Sequence, residues 1–477
     1  MFEINPIIDT DSYKASHWLQ YPKGTSRTFF YLESRGSERK WDKTLFFGLQ
    51  YILKRYFTSR ITQEMVEEAN SIITSHGLPF NYTGWSNLVK KHDGLLPLRI
   101  RAVPEGLIVP LRNALMTVET TDEKFFWIAS WFETQLMRIW YPITVATQSY
   151  YIKQDIYRFL KETADDPDAE IQFKLHDFGS RGVSSQETAA IGGAAHLVNF
   201  QGTDTMAALI LHRDFYHSPM AGFSIPAAEH STMTSWGREG EVEAYRNMLK
   251  VFAKPGSLVA VVSDSWDIFN AVEKIWGEIL RQEVIDSGAT VVIRPDSGNP
   301  VEIVAKVASI LSEKFGYEIN SKGYKVLKHV RIIQGDGVNE QSIHDILTRL
   351  KSDGFSASNI AFGMGGALLQ KINRDTLKFA YKCSAVVVDG KLREVYKQPV
   401  TDSVKVSKSG RLDLIKNDKG EYETVKLPDL NAIAMENSVM RTVFENGELL
   451  IDDSLEEIRK RANSESLRDP KVNLTLS

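Results

Sequence analysis

The feature that most constrains the fold is a recurrence of short apolar runs, each ending in polar residues, between positions 171 and 366. Successive run ends are 26 to 40 residues apart, and the residues that mark them are Asp177, Asp204, His230, Asp264, Asp296, Asp336 and Gly365. One strand and the helix after it occupy about thirty residues in a (β/α) barrel. The recurrence therefore predicts an α/β chain with a barrel-like domain. An open doubly wound sheet is the alternative, but seven polar strand ends are more than its single crevice would use.

The run before Arg294 shows the pattern clearly. Val291, Val292 and Ile293 are β-branched and apolar, which suits a strand buried on both faces, and Asp296 follows closely. Alone, such an Arg and Asp would be a surface ion pair. Repetition along the chain instead indicates functional groups mounted at strand ends. The runs are 171–176, 197–200, 223–226, 258–262, 291–293, 330–333 and 360–362, and the predicted helices between them include 234–252, 268–281, 301–314 and 340–351.

The segments on either side of this region differ from it. Residues 1–170 mix strand and helix patterns, including an aromatic-rich predicted helix at 125–140 whose rings we interpret as core. Residues 385–391 are typical of a hairpin, and the chain then becomes rich in Lys, Ser, Asp and Gly. We predict an α+β N-terminal segment (1–170), a barrel-like catalytic domain (171–390) and a C-terminal segment (391–477) that packs with the N-terminal one. The two ends would form a discontinuous α+β second domain.

Composition excludes several classes of protein. The 477 residues carry a net charge of −4, so a nucleic-acid-binding surface is not expected. Cys383 is the single cysteine, which rules out an internal disulfide and fits a reducing compartment. No apolar run approaches the ~18 residues that a membrane span needs, and the N-terminus does not resemble a signal peptide. The prediction is a cytoplasmic protein without a membrane partner.

The predicted strand ends supply several carboxylates, two arginines (Arg181 and Arg294), the imidazole of His230 and glycine-rich turns at 335–337 and 363–366. A glycine-rich turn before a helix can cradle phosphate, although by itself it is more often a packing turn. Zinc-hydrolase, P-loop and Gly-x-Ser-x-Gly motifs are missing from the sequence, and Lys382 is only a loose candidate for a Schiff-base lysine. The set suits a sugar with several phosphates and a divalent ion.

Eight motifs together resemble the nicotinamide phosphoribosyltransferase family, in order and nearly end to end. They are 11–14, 176–187, 202–204, 226–232, 263–265, 293–300, 334–337 and 368–375. The resemblance implies a barrel-like phosphoribosyltransferase domain, a discontinuous α+β domain and a homodimer with active sites shared at the interface. It implies transfer of the 5-phosphoribosyl group from phosphoribosyl pyrophosphate to nicotinamide in NAD salvage, giving nicotinamide mononucleotide and pyrophosphate. Mg²⁺ would be required, and ATP hydrolysis through a phosphohistidine would favour the forward reaction.

The resemblance also implies roles for the base-binding and pyrophosphate-binding residues. Phe178 and Tyr13, the latter from the partner subunit, would sandwich the pyridine ring; the alternative for both is ordinary aromatic packing. Asp204 would accept a hydrogen bond from the carboxamide and repel the carboxylate of nicotinate. Arg181, His230 and Arg294 would hold pyrophosphate. His230 would also carry the phosphoryl group, although a lone histidine is more often structural.

The remaining implied roles concern the ribose phosphate and the metal. Asp296 would bind ribose hydroxyls, and Asp264 would act near the metal and pyrophosphate, while the metal ligands are unassigned. The residues expected to line the ribose 5-phosphate are Gly335, Asp336, Gly365, Gly366, Arg374 and Lys382, the last two across the subunit interface, with Lys397 and Lys405 as further candidates.

One position departs from the family pattern, and two rival functions stay open. Ala380 stands where the family often has serine, which puts one hydroxyl contact to phosphate in doubt, worth about 1 kcal/mol. The nearest rival function is the same transfer to nicotinate. A second rival is a barrel that binds sugar phosphates, or a partner protein, without catalysis.

Overall fold

The computed structural model describes residues 4–398 and 406–466, so Lys405 lies outside the described residues. The chain divides into two compact units. The first contains the residues up to 147, the segment 214–218 and the residues from 373 onward, and the second contains 148–213 and 219–372. These divisions differ from the boundaries expected at 170 and 390. Helix Trp140–Thr163 runs through the first division, and strand Phe379–Val388 pairs with Thr25–Ser34, so it belongs to the first unit.

The first unit is built on an antiparallel sheet of seven strands. Arg441–Glu445 pairs with Leu98–Ala102, so the C-terminal segment extends a sheet begun by the N-terminal one. The predicted hairpin at 385–391 is confirmed: Asp389 and Gly390 both have positive φ (51° and 73°), as a two-residue turn of this twist requires. The strand order is Lys391–Glu394, Phe379–Val388, Thr25–Ser34, Ala114–Thr120, Leu98–Ala102, Arg441–Glu445 and Glu448–Leu449.

The predicted aromatic helix at 125–140 is wrong as one helix, although its rings are core. The backbone at Phe132 (φ −85°, ψ 8°) leaves the helical region, and the segment becomes Glu123–Phe125, Ile128–Trp131 and Glu133–Met137. The breaks let Trp127, Trp131 and Phe132 all reach the buried Trp85 ring, with centroids 5.0, 5.3 and 6.2 Å away. The other elements of this unit are Ser12–Leu19, Lys43–Leu45, Leu49–Ile52, Leu53–Phe57, Gln63–Ser75, Tyr82–His92, Ile108–Pro110, Arg374–Thr376, Leu412–Lys416, Tyr422–Lys426 and Leu455–Ser466.

The second unit contains the predicted barrel. Its sheet is parallel, in the order Gly202–Thr203, Leu175–Asp177, Ile360–Met364, Val330–Gln334, Thr290–Arg294 and Leu258–Val262. Residues 223–228 bridge the two outer strands. Thr203 N donates to Phe223 O (3.1 Å), and Ala228 N donates to Ala260 O (2.9 Å). The ladder therefore closes on itself through seven chain segments, as expected of a barrel and not of an open sheet.

The barrel interior is filled by side chains that alternate with outward-facing ones. Ala260, Val292 and Ile333 form a buried cluster, and Phe178 packs against it from above. The predicted helices at 301–314 and 340–351 are confirmed as Pro300–Phe315 and Glu340–Ser352. None of the helices in the described ranges combines the length and apolar character needed to cross a membrane.

Five predicted elements of this unit need correction. The run at 171–176 begins as the short helix Ile171–Phe173, and the strand is Leu175–Asp177. The run at 223–226 is not a regular strand, since this part of the chain makes only isolated bridges. The strand expected at 197–200 lies at Gly202–Thr203, because residues 197–200 finish the turn after helix Gln186–His196. The helix expected at 234–252 is split, since Gly237 (φ 73°) separates His230–Thr234 from Glu241–Phe252. The helix expected at 268–281 breaks at Leu280 (φ −98°, ψ 2°). The remaining helices of the unit are Pro167–Glu170, Met206–Phe215, Ile268–Asn270, Ala271–Ile279, Arg281–Ser287 and Gly366–Leu369, and its short 3₁₀ helices are Ile171–Phe173, Ser180–Gly182, Arg238–Gly240 and Ala357–Asn359.

Candidate active site

The carboxyl ends of the barrel strands all meet at one face of the second unit, because every neighbouring pair is parallel. The predicted residues of this unit stand at or just after those ends. They are Phe178, Arg181, Asp204, His230, Asp264, Arg294, Asp296, Gly335, Asp336, Gly365 and Gly366. The structure thus brings together eleven of the fourteen distinct predicted site residues, and their individual roles stay predictions.

His230 is the centre of a hydrogen-bonded group. Its Nε2 lies 3.0 Å from Asp264 Oδ1, and its Nδ1 lies 3.9 Å from Asp296 Oδ2. Ser297 Oγ donates to the second oxygen of Asp264 (2.6 Å). The Asp264 side chain is 5% exposed, whereas that of His230 is 45% exposed. The buried Asp264 carboxylate, hydrogen-bonded through both oxygens, can therefore orient the His230 imidazole, and solvent or a ligand can still reach that ring.

Arg294 and Asp296 form a second pair beside this group. Arg294 NH2 lies 3.5 Å from Asp296 Oδ2. Burial raises the pKa of Asp296; Arg294 and His230 oppose that change, while Asp264 and Asp336 add to it. Arg294 Nε is buried and has no hydrogen-bond partner in the described part of the chain. The guanidinium group keeps donor capacity for an anion.

The Phe178 ring packs closely against two glycines, Gly363 and Gly335. A methyl group at Gly363 would overlap the Phe178 ring, so only glycine leaves room for it. A methyl group at Gly335 would lie 3.4 Å from Asp296 Oδ1, 3.6 Å from Phe178 Cε2 and 3.8 Å from Arg294 Cδ. The space above Gly335 is consequently bordered by an aromatic ring, a carboxylate and a cation.

Asp204 and Arg181 follow two other strands that end at the same face, Gly202–Thr203 and Leu175–Asp177. Asp204 is exposed, and Ser224 Oγ donates to its Oδ1 (2.7 Å). Ser224 was missed by sequence reasoning, because a serine inside an apolar run gives no signal of its own. Arg181 is exposed on the turn Ser180–Gly182. A methyl group at Gly182 would lie 3.4 Å from Gly366 Cα, so the Arg181 turn adjoins the glycine-rich turn.

A resident metal ion does not fit the side chains alone. Across residues 4–398 and 406–466, no group of three or more His, Cys, Asp or Glu side chains is arranged to hold a metal ion. Mg²⁺ is commonly bound by one or two carboxylates together with substrate phosphates and water. Asp296 and the exposed Asp336 are carboxylates at this face that could serve in that way.

The first unit holds the other predicted residues. Tyr13 is 57% exposed, and its ring packs edge-on against His17, with the centroids 4.8 Å apart. Arg374 lies at the surface, 3.6 Å from the Asp375 carboxylate. Lys382 has its pKa lowered by burial and by the neighbouring cations Arg35, Lys397 and Lys14, while Glu133 acts in the opposite sense.

This grouping makes the surroundings of Lys382 a cationic cluster. Arg35 and Lys14 were not predicted as members, because they lie more than three hundred residues from Lys382 in the sequence. Lys14 pairs with Glu133, and Arg35 pairs with Glu33, so these carboxylates offset part of the charge of the cluster. The four cations still outnumber the two carboxylates, and the net positive charge suits a phosphate.

Comparisons with known proteins agree with this geometry. A model of the nicotinate phosphoribosyltransferase family matches residues 173–448, and a model of the nicotinamide phosphoribosyltransferase N-terminal domain matches residues 5–100. The chain is 56% identical to a nicotinamide phosphoribosyltransferase from Xanthomonas campestris, over 97% of this chain and 99% of that protein. It is 33% identical to one from Acinetobacter baylyi, over 96% and 97% of the two chains.

Two solved structures share the fold at low sequence identity. A nicotinate-nucleotide pyrophosphorylase from Pyrococcus furiosus superposes with a TM-score of 0.62 at 16% identity, covering 98% of this chain and 97% of that one. Human nicotinic acid phosphoribosyltransferase superposes with a TM-score of 0.54 at 18% identity, covering 95% and 93%.

Proposed function

The chain belongs to the nicotinamide phosphoribosyltransferase family, and from that premise we propose that it transfers the 5-phosphoribosyl group of phosphoribosyl pyrophosphate to nicotinamide. The products are nicotinamide mononucleotide and pyrophosphate, a step of NAD biosynthesis. The observation that carries the proposal is the space above Gly335, where Phe178, Arg294 and Asp296 converge. Stacking, anion binding and a carboxylate are the groups that a pyridine, a pyrophosphate and a ribose require.

The chemistry asks little of the protein beyond alignment and charge. Transfer breaks the C1–O bond to pyrophosphate through an oxocarbenium-like centre, and the pyridine nitrogen forms the new C1–N bond. Asp296, beside Arg294, can bind the ribose hydroxyls and stabilise positive charge on the sugar. The ring nitrogen carries no proton, so no general base is needed. The rate gain comes from holding the nitrogen and C1 in line and from neutralising the leaving group.

Asp204 supports nicotinamide over nicotinate. Its carboxylate already accepts one hydrogen bond from Ser224 and is exposed at the same face, where it can accept another from a carboxamide NH₂. The carboxylate of nicotinate would meet a like charge there. Transfer to nicotinate is the second candidate, since the family model that covers most of the chain carries that name.

The donor's phosphates would be held by cations from two sources. Arg181 and Arg294, with the turn at Gly365 and Gly366, would hold pyrophosphate and ribose phosphate in the second unit. Mg²⁺, bound chiefly by the pyrophosphate oxygens, would neutralise leaving-group charge. The proposal also includes a homodimer, in which the partner subunit's Tyr13, Arg374 and Lys382 complete each site.

His230 is the proposed acceptor of a phosphoryl group from ATP. Asp264 accepts a hydrogen bond from Nε2–H, which fixes the tautomer whose Nδ1 lone pair is free to act as the nucleophile. Nδ1 would attack the γ-phosphorus of ATP, forming an N–P bond while the bond to the ADP oxygen breaks. Hydrolysis of the phosphohistidine, coupled to turnover, would add the free energy of ATP hydrolysis to the transfer and so favour the forward reaction.

One assay tests the proposal. The purified chain is given nicotinamide or nicotinate with the activated ribose donor and Mg²⁺, with and without ATP, and mononucleotide and pyrophosphate are measured. We expect one pyrophosphate for each nicotinamide mononucleotide, little product from nicotinate, and a higher final product yield with ATP. Equal use of nicotinate would refute the specificity argument. An absence of pyrophosphate with either base would leave only the non-catalytic alternative.

A further inference from the structure

Asp177 is a strand-end carboxylate to which the proposed chemistry gives no role. It ends strand Leu175–Asp177, its side chain is fully buried, and it cannot touch a substrate at the open face. In the barrel sheet, Asp177 pairs with Thr203 of one neighbouring strand and with Met364 of the other. It lies directly beneath the residues proposed to bind the pyridine.

We propose that Asp177 is a positioning residue that fixes the Phe178 turn and the Asp204 loop in one geometry, and so defines the nicotinamide subsite. The inference rests on the proposed function. It assigns a role to a group that is neither in contact with the solvent face nor part of the phosphate-binding set.

Hydrogen bonds connect Asp177 to both halves of that subsite. Its Oδ1 accepts from Gly179 N (2.7 Å), which closes the turn carrying Phe178. Its main-chain oxygen accepts from Asp204 N (2.9 Å), which places the Asp204 loop. The Asp177 side chain therefore fixes the turn that carries the stacking ring, relative to the Asp204 loop that the main chain of the same residue holds.

The second carboxyl oxygen is enclosed by packing. A methyl group at Gly193 would lie 3.0 Å from Asp177 Oδ2 and 3.1 Å from Thr205 Cγ2, so helix Gln186–His196 seals this side. Neither Oδ2 nor the Thr205 hydroxyl makes a well-formed hydrogen bond within the described residues, although the hydroxyl is close enough to lower the carboxyl pKa. Such a group is costly to bury, which argues for a role beyond filling space.

The surroundings of Asp177 also make the carboxyl titrate in an accessible range. Burial raises its pKa to about 6, and the negative charge of Asp204 acts in the same direction. The Gly179 N–H and the Thr205 hydroxyl oppose that rise. A protonated Asp177 is a weaker acceptor for Gly179, so the Phe178 turn should loosen as the pH falls through about 6.

The test compares Asp177→Ala and Asp177→Asn with the wild type by steady-state kinetics. Asp177→Ala removes the acceptor, and we expect the KM for nicotinamide to rise at least tenfold while the KM for the ribose donor stays within about twofold. Asp177→Asn keeps an oxygen for Gly179 but not the charge, so we expect an intermediate KM for nicotinamide, close to that of the wild type at pH 5.5. Ser356→Ala is the matched control: Ser356 is a fully buried helix cap at the other end of the same barrel, so its loss should lower Tm without changing either KM.

The pH dependence of the KM for nicotinamide gives a second readout, which can be measured even if Asp177→Ala does not fold. The wild-type KM for nicotinamide should rise as the pH falls from 7 to 5.5, and that rise should be smaller in Asp177→Asn. Equal pH dependence in the two proteins would overturn the proposal. A parallel rise of both KM values in a folded Asp177→Ala would do the same. A wild type that turns over no nicotinamide would instead refute the proposed function.

Discussion

His230 Nε2 lies 3.0 Å from Asp264 Oδ1, and Asp264 is itself held by Ser297 Oγ at 2.6 Å. The three side chains come from the ends of three different chain segments of the barrel. The arrangement is directional, since the buried carboxylate orients the imidazole and the exposed edge of the ring faces the open side. It resembles the way other enzymes prepare a histidine for proton or phosphoryl transfer.

The first prediction concerns this pair. Asp264→Asn should reduce the ratio of the ATP-dependent to the ATP-free rate by about tenfold or more, because the neutral amide no longer favours one imidazole tautomer or a developing positive charge. Both rates are measured on the same preparation, so losses common to both cancel. Ser297→Ala, which removes only the outer hydrogen bond, should change the ratio less. A ratio unchanged by Asp264→Asn would contradict a role for the pair in phosphoryl transfer.

The second prediction concerns base selection. Asp204→Asn should lower kcat/KM for nicotinamide by roughly 10- to 100-fold. The substitution replaces a charge-assisted hydrogen bond by a neutral one, or places the asparagine NH₂ against the NH₂ of the carboxamide. The KM for the ribose donor should change by less than about threefold. Ser224→Ala keeps the carboxylate and removes one of its partners, so a smaller loss is expected. A similar loss of donor affinity in Asp204→Asn would place that residue in the phosphate site instead.

The third prediction uses the contact between Phe178 and Gly363. Gly363→Ala inserts a methyl group where the ring lies, so the ring must move and the KM for nicotinamide should rise at least tenfold. Gly366→Ala is a suitable comparison, because a methyl group there meets no atom within 4 Å. The nicotinamide KM of Gly366→Ala should stay near that of the wild type. Equal nicotinamide KM values in both variants would show that the Phe178 ring does not bind the base.

Most of the second unit could be predicted from the sequence. A parallel strand buried on both faces requires a run of apolar residues, and the strand ends where polar residues begin. The same rule failed at 197–200, where an apolar run completes a helix turn and the strand is only Gly202–Thr203. Runs of that length do not distinguish a strand from a buried helix end. Tertiary packing decided the outcome.

The site residues divide in the same way. Charged and glycine residues at strand ends were visible because their positions repeat. Ser224 and Arg35 were not, since each acquires its meaning from a neighbour distant in the chain: Ser224 from Asp204, and Arg35 from Lys382. Long-range contacts of this kind have no periodicity to detect.

The fourth prediction concerns Ala380, which lies two residues before Lys382 on strand Phe379–Val388. Ala380→Ser would supply a hydroxyl near the cationic cluster, and we expect the KM for the ribose donor to fall about fivefold, equivalent to about 1 kcal/mol. Ala385→Ser, which places a hydroxyl in a fully buried apolar cluster of the same strand, should lower Tm and leave the donor KM unchanged. If Ala380→Ser leaves the donor KM unchanged, this part of the strand does not contact the 5′-phosphate of the donor.

The fifth prediction concerns stability and rests on Glu105 in the first unit. Burial raises the pKa of Glu105 to about 7 from 4.5, and Asp453 adds to the rise, while Gln50 N–H, Gly48 N–H and the Tyr216 hydroxyl oppose it. Gln50 N donates to its Oε1 at 2.7 Å. Because the folded state holds this proton more tightly than the unfolded state, the contribution of Glu105 is fully present below pH 4.5 and is lost as the pH rises through 7.

The shift corresponds to roughly 3 kcal/mol. Glu105→Gln cannot ionise, so its Tm should fall less than that of the wild type between pH 5.5 and 8.5, measured by calorimetry at equal ionic strength. Glu456→Gln, at an exposed position of the same unit, should follow the wild type. If the wild type and Glu105→Gln lose the same Tm over that interval, Glu105 is ionised throughout it, and other groups set the pH dependence of the fold.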